Sequence, residues 1–484
     1  MHKFHVKNWM PSQRLILVCT LYIAPPSWTL DSAARGTVIM GGAVFISTAL
    51  LKQARQAAGC VEGEECHGRV YGMRPSSLLT NIVTIVGILS ASTMPLVGSI
   101  VDHTRYRRQV GRTSASILTA LILVQVILLR HVWFGAAIIQ VFLAFTYFIH
   151  LCALYAYLPE LTSDSNQLIK YTGRFIAAQY ASSVVFLLVM VILLEFFQVA
   201  DVLASAWISQ SLVFAVCTLF FGYSWTLLFP DRPAAQQVPE GQSILTAGFD
   251  KIYATSQTIW SRHDAIKWFL ISVAFAESAT AAFSSIAITY MTDHLLFSST
   301  ENGIAILLLL LFGIPGTKVA SMFTNRFNPI RSLQLCLLLW IVTTAAASLV
   351  LHGQGQQLSA YCFAAIWGLS MGWVYPTEKV LYCTIIPKGQ EAELMGVYIC
   401  ACQILSWLPP LVFTIMNESG ISMRIGLLTL NAYFLISFVI LFFVGDYQEA
   451  LEHARVVDMD QTKDRDNAVM ECVPISNYQT LVEH

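Results

Sequence analysis

The sequence predicts an all-α integral membrane protein, with twelve transmembrane helices in two pseudo-symmetric six-helix bundles. Three observations predict it: the composition, the number of long apolar runs, and a polar loop that divides those runs in the middle. Over 484 residues the hydrophobic fraction is 56% and the charged fraction 12%, against about 25% charge in soluble domains. Mean hydropathy is +0.62. Such a chain dissolves in lipid rather than hiding a core from water. A net charge of −1 offers no electrostatic footprint for nucleic acid. The first apolar run, 15–24, ends in Pro25-Pro26 without a small-residue cleavage site, so no secretory signal is expected.

A helix needs about 20 apolar residues to cross a bilayer. The first six spans are expected at 26–51, 77–101, 113–130, 132–157, 174–197 and 202–229. Pro26 suits the first turn of the first span. The second six are expected at 267–291, 302–323, 332–351, 358–386, 394–416 and 423–445. Pro95, Pro315, Pro376, Pro409 and Pro410 interrupt spans, as membrane helices tolerate. Lys and Arg gather in the N-terminal segment, the even-to-odd loops and the C-terminal tail, while the loops 198–201, 292–301 and 352–357 carry none. That bias places both termini in the cytosol. The loop 52–76 then faces the other side, with Cys60 and Cys66 as either a disulfide or two free thiols. The sequon Asn417-Glu-Ser419 falls on that side too, close to the membrane.

The longest interior loop, 230–266, opens with Pro230, Pro233 and Pro239. Ile244, Leu245, Phe249, Tyr253 and Trp260 follow at near-helical spacing, which predicts a helix lying on the cytosolic surface. The chain therefore divides into a bundle at 1–229, a cytosolic loop at 230–266, a second bundle at 267–446 and a disordered acidic cytosolic tail at 447–484. Two internal echoes pair spans six apart: "LYAYLPE" (154–160) with "LYCTIIPK" (381–388), and "DSAA" (31–34) with "ESAT" (277–280). Duplicated halves around a central site are how many secondary carriers are built.

The loop after span 2 concentrates charge: Gly98, Asp102, Arg105, Arg107, Arg108, Gly111 and Arg112. Its G-x-x-x-D and basic run resemble the loop 2–3 motif of the major facilitator superfamily. That resemblance implies a cytosolic latch. Asp102 would meet the start of helix 11, where Glu391 and Glu393 lie, and an Arg would meet Glu160 or Asp164 at the end of span 4. Simple positive-inside topology explains the Arg residues alone. A second resemblance covers both halves in order. "DHTRYRR" (102–108), "YAYLPEL" (155–161), "IPKGQEAELMGVY" (386–398) and "SWLPPLVF" (406–413) are similar to motifs of the vacuolar amino-acid effluxer family linked to autophagy, a branch of that superfamily. Span 1 and the 52–76 loop depart from the family. The resemblance implies a major facilitator fold, alternating access, and export of amino acids from a vacuole-like lumen.

An ionisable residue inside a span costs several kcal/mol, about 2.5–3.5 on insertion scales, and marks function by default. Glu277 in span 7 is the clearest case. Asp31 and Arg35 stand four residues apart in span 1. An amino acid brings an ammonium and a carboxylate. Asp31 or Glu277 suits the first and Arg35 the second; alternatively Asp31 and Arg35 only neutralise each other. Glu277 also suits a proton carrier, or a structural hydrogen bond. Glu378 and Lys379 read as a gate or a local ion pair. Trp373, Tyr375, Tyr155 and Trp407 are candidate cavity aromatics. Signals for an enzyme are absent: no G-x-x-x-x-G-K-[ST], no H-E-x-x-H and no C-x-x-C. No cofactor or metal is expected. Tyr478-Gln-Thr-Leu481 has the form of a sorting signal. Other readings are a facilitator for a sugar or drug, and a nutrient sensor that binds solute without moving it.

Overall fold

A computed structural model describes residues 26–61, 66, 68–157, 165–199, 201–231, 244–386 and 391–452. Among the described residues, twelve helices are long and apolar enough to cross a membrane. They are α1 (Pro26–Ala57), α2 (Leu78–His103), α3 (Arg107–Leu128), α4 (Trp133–Tyr155), α5 (Ser165–Phe196) and α6 (Val202–Leu228). Then come α7 (Asp264–His294), α8 (Ser299–Arg326), α9 (Pro329–Val350), α10 (Gln357–Ile385), α11 (Gly396–Glu418) and α12 (Met423–Val444). The helices α1–α6 pack chiefly on one another, as do α7–α12. The two halves meet where α2 lies along α11 and α5 along α8.

Local chemistry sets the ends. Asp201 caps α6 through Leu203 and Ala204 N–H, and Ser298 with Glu301 forms a reciprocal capping box at α8. Pro95, Pro315 and Pro376 sit inside α2, α8 and α10 without ending them. Pro409 and Pro410 instead begin the second part of α11, Leu408–Glu418, after a break from Glu391–Ile404. Three turns widen to π geometry: Gly41–Ile46 in α1, Ser224–Leu228 closing α6 and Tyr290–His294 closing α7. Single π turns inside helices recur at functional sites.

The helix expected between the halves forms at Ile244–Arg262 and packs across α2, α7 and α11. Ile259 and Thr255 face the protein, whereas Tyr253 and Trp260 are exposed. Cys60 and Cys66 form a disulfide. Asn417 is buried, and its amide donates to Ser76 and Ser77 hydroxyls at 2.6 and 2.9 Å. The sequon is thus consumed by packing. The tail sorting pattern, Glu160 and Asp164 lie outside the described residues. Of Asp102, Glu391 and Glu393 only the helical backbone is described.

Candidate functional site

Asp31 and Arg35 form an ion pair along one face of α1, with Nε donating to Oδ1 at 2.9 Å. Both are fully enclosed. His150 Nε2 of α4 and the Trp225 indole N–H of α6 each donate to the other oxygen, Oδ2, at 2.8 Å. The Ser114 hydroxyl of α3 is hydrogen-bonded to His150 Nδ1 at 3.0 Å. Arg35 also donates to Gln179 of α5 and to Ser32, each at 2.9 Å, and Tyr147 of α4 lies near it. Five helices of the first half thus converge on one acid and one base. A buried charge is tolerable when paired and hydrogen-bonded in this way.

Glu277, in α7, is half-buried. Its carboxyl meets that of Glu378 in α10. Glu378 is 1% exposed, and neither of its oxygens receives a donor in good hydrogen-bond geometry. The expected Glu378–Lys379 pair inside α10 does not form: adjacent helical residues point about 100° apart and do not face each other, and Glu378 turns to α7 instead. Tyr180 of α5 and Tyr375 of α10 stand beside Glu277, so Glu277 lies where the halves meet. Tyr155 of α4 neighbours both Arg35 and Tyr180. Trp373 is buried instead, donating to Ser332 at 2.9 Å inside the second half.

The charged loop after α2 acts within the first half as far as its described side chains go. Arg107 is buried with its guanidinium over the Tyr157 ring. Arg108 pairs with Asp231 at 2.8 Å and donates to the Thr226 carbonyl at 2.7 Å. Arg105 lies over Tyr106, and Arg112 is exposed. Gly111 lets α3 reach α6: a Cβ there would sit 1.9 Å from the Trp225 ring.

A set of hydrogen bonds and ion pairs joins the two halves toward the 52–76 loop end. Arg55, closing α1, pairs with Asp293, closing α7. Asn302 of α8 donates to Thr48 at 3.2 Å. The Thr80 and Thr414 hydroxyls are 2.6 Å apart, and Glu418 accepts from Arg74 N–H at 2.7 Å and pairs with Arg69 at 3.0 Å. This end is shut. His150, Gln179 and the Arg55–Asp293 pair were not singled out from sequence. A polar group inside an apolar span was the available signal for the first two.

A fold of two six-helix halves, shut at one end and holding an acid and a base between helices, suits a carrier. Its relatives agree. The chain matches the family described as "Vacuole effluxer Atg22 like" over residues 26–175 and 169–454. It belongs to this family. Among solved structures, this effluxer-family chain is similar to a mutant of the nucleoside transporter NupG, at 10% identity and TM-score 0.59, covering 87% of this chain and 100% of that one. It is also similar to a bacterial homologue of the iron transporter ferroportin in an inward-facing state, at 13% identity and TM-score 0.55, covering 85% and 99%. A third is the major facilitator superfamily transporter FucP in its outward conformation, at 12% identity and TM-score 0.53, covering 87% and 100%. At these identities the likeness shows the major facilitator fold. No curated protein sequence matches the chain. The effluxer family and this fold make the chain a multi-pass membrane protein and a secondary transporter.

Proposed function

We propose that this transporter moves amino acids from a vacuole- or lysosome-like lumen to the cytosol by alternating access, in the service of autophagic breakdown. The observation that supports this most is the effluxer-family match along nearly the whole described chain. With both termini cytosolic, the shut end faces the lumen and the substrate path opens to the cytosol. Arg35 takes the substrate carboxylate. Its bonds to Ser32 and Gln179 are neutral contacts, and a carboxylate displaces them because charge-assisted bonds are about twice as strong. Asp31 holds Arg35 in place, and Glu277 takes the ammonium. A proton is the coupling ion of this reading, with Glu277 as its carrier. The latch for the opposite state is assigned to Asp102, Arg105, Arg107, Arg108 and Arg112 with Glu160, Glu391 and Glu393.

Purified full-length protein in proteoliposomes tests the reading. Labelled amino acids should exchange against unlabelled ones, and sugars and nucleosides should not compete. Preference for a sugar or nucleoside would replace the substrate class. Binding without flux would make the protein a sensor. Glu277→Gln should abolish exchange while leaving thermal unfolding unchanged; intact exchange refutes its role. Tags on the two chain ends should be cleaved by protease from the same side of the membrane.

A further inference from the structure

Glu378 has no role in the transport reading above, yet its placement is costly. It is 1% exposed, about two turns before the end of the membrane-spanning helix Gln357–Ile385, and both oxygens lack a well-placed donor. An isolated ionised carboxylate in such a place is expensive, and in practice such a group neutralises instead. What it faces is a second carboxyl, that of Glu277 on the neighbouring helix α7. Two carboxylates in contact repel, and such pairs hold a proton between them. The pair titrates as one unit rather than as two residues.

We propose that Glu277 and Glu378 form a single proton-carrying site, and that the proton they share moves through the transport cycle with each turnover. The surroundings fit one proton. Lys379 of α10 is the charged group beside the pair. The other titratable neighbours are uncharged: Tyr180 from α5, Cys336 from α9, Tyr375 from α10, and Tyr398 and Cys402 from α11. Two carboxyls and one lysine leave a single negative charge, which one proton cancels. The step is a plain transfer. An O–H bond of the pair breaks as the proton passes to water on the side to which the site is open, and the same bond reforms from water on the other side. No co-reactant is needed. In this proposal the half-buried Glu277 exchanges the proton with water, and the fully buried Glu378 holds the second oxygen pair dry.

The inference rests on the transport reading for its flux arm only. In proteoliposomes carrying full-length protein and a mixture of radiolabelled proteinogenic amino acids, a gradient of one pH unit should shift the steady-state solute ratio about tenfold per proton moved. An entrapped pH dye should report proton movement in step with solute. Either direction of shift supports the proposal, and an unmoved ratio overturns it. Any solute flux that remains in Glu378→Gln should carry no proton. Proton flux at the wild-type ratio in that variant also overturns it. Infrared spectroscopy of purified protein supplies an arm that needs no substrate. Wild type at neutral pH should show a protonated-carboxyl C=O band that the Glu277→Gln/Glu378→Gln double variant loses. Absence of the band in wild type, or its survival at full amplitude in the double variant, overturns the shared proton. If no amino acid moves in wild type, the transport reading falls and the infrared result decides the pair.

Discussion

Asp31 accepts from Arg35, His150 and Trp225, so each of its oxygens is engaged and its charge is balanced inside the bundle. Such a pair is dangerous to halve. Removing one partner of a buried ion pair costs about 3–5 kcal/mol, because a bare charge is left behind. Asp31→Asn should therefore lower the thermal midpoint in detergent steeply. Adding Arg35→Gln should restore much of it, since the remaining charge is then gone as well. The double variant separates two roles. If Arg35 binds substrate carboxylate, stability returns and amino-acid exchange does not. Recovery of both would leave Arg35 a purely structural residue. Asp31, Arg35 and Glu277 were legible in the sequence because an ionisable group in an oily run needs a reason. Their partners were not. Glu378 reaches Glu277 from a helix three spans on, and His150 reaches Asp31 likewise from a helix three spans on. Only packing brings such residues together.

At the scale of elements, the long apolar runs placed the helices, with most ends within a few residues, because length and hydropathy largely decide what crosses a bilayer. The π turns left no comparable signal, whereas Pro409 and Pro410 marked the break inside α11. What the spacing held, unread, was how helices touch. Apolar side chains give little drive for helices to associate in lipid, so close contact relies on small residues. The α8–α10 seam is built that way. A Cβ on Gly372 would lie 1.9 Å from the Gly313 carbonyl oxygen. One on Gly368 would lie 2.1 Å from that of Leu309, and one on Gly316 2.3 Å from that of Leu369. Gly372→Val should drive the helices apart, costing about 1–3 kcal/mol as overpacking, and lower the thermal midpoint. Gly222→Ala in α6, where a Cβ meets open space, should be neutral or slightly stabilising. Equal effects at the two positions would mean that helix propensity, not the seam, sets the outcome.

A carrier that alternates must hold one end shut by contacts it can give up, and the described contacts between halves have that character. Arg55 and Asp293 are buried but end their helices, so both can reach water when the halves part. Glu418 sits in the same rim with Arg69 and Arg74, and Asn302 and Asn417 add neutral bonds. Truncating one member of a buried, hydrogen-bonded charge pair costs about 2–5 kcal/mol at an interface, and each 1.4 kcal/mol is about tenfold in an equilibrium constant. Asp293→Asn should thus move the population at least about tenfold toward the state open at the 52–76 loop end. A cysteine introduced at Ser76, in a background lacking the exposed Cys362, should be labelled correspondingly faster by an impermeant thiol reagent. Asp102→Asn, at the opposite end, should slow that labelling, because it weakens the latch assigned to the other state and leaves the present one favoured. Opposite shifts from two substitutions at opposite ends of the molecule are what a two-state seesaw requires. Shifts of the same sign, or none, would mean that these charges hold local structure and that closure is governed elsewhere.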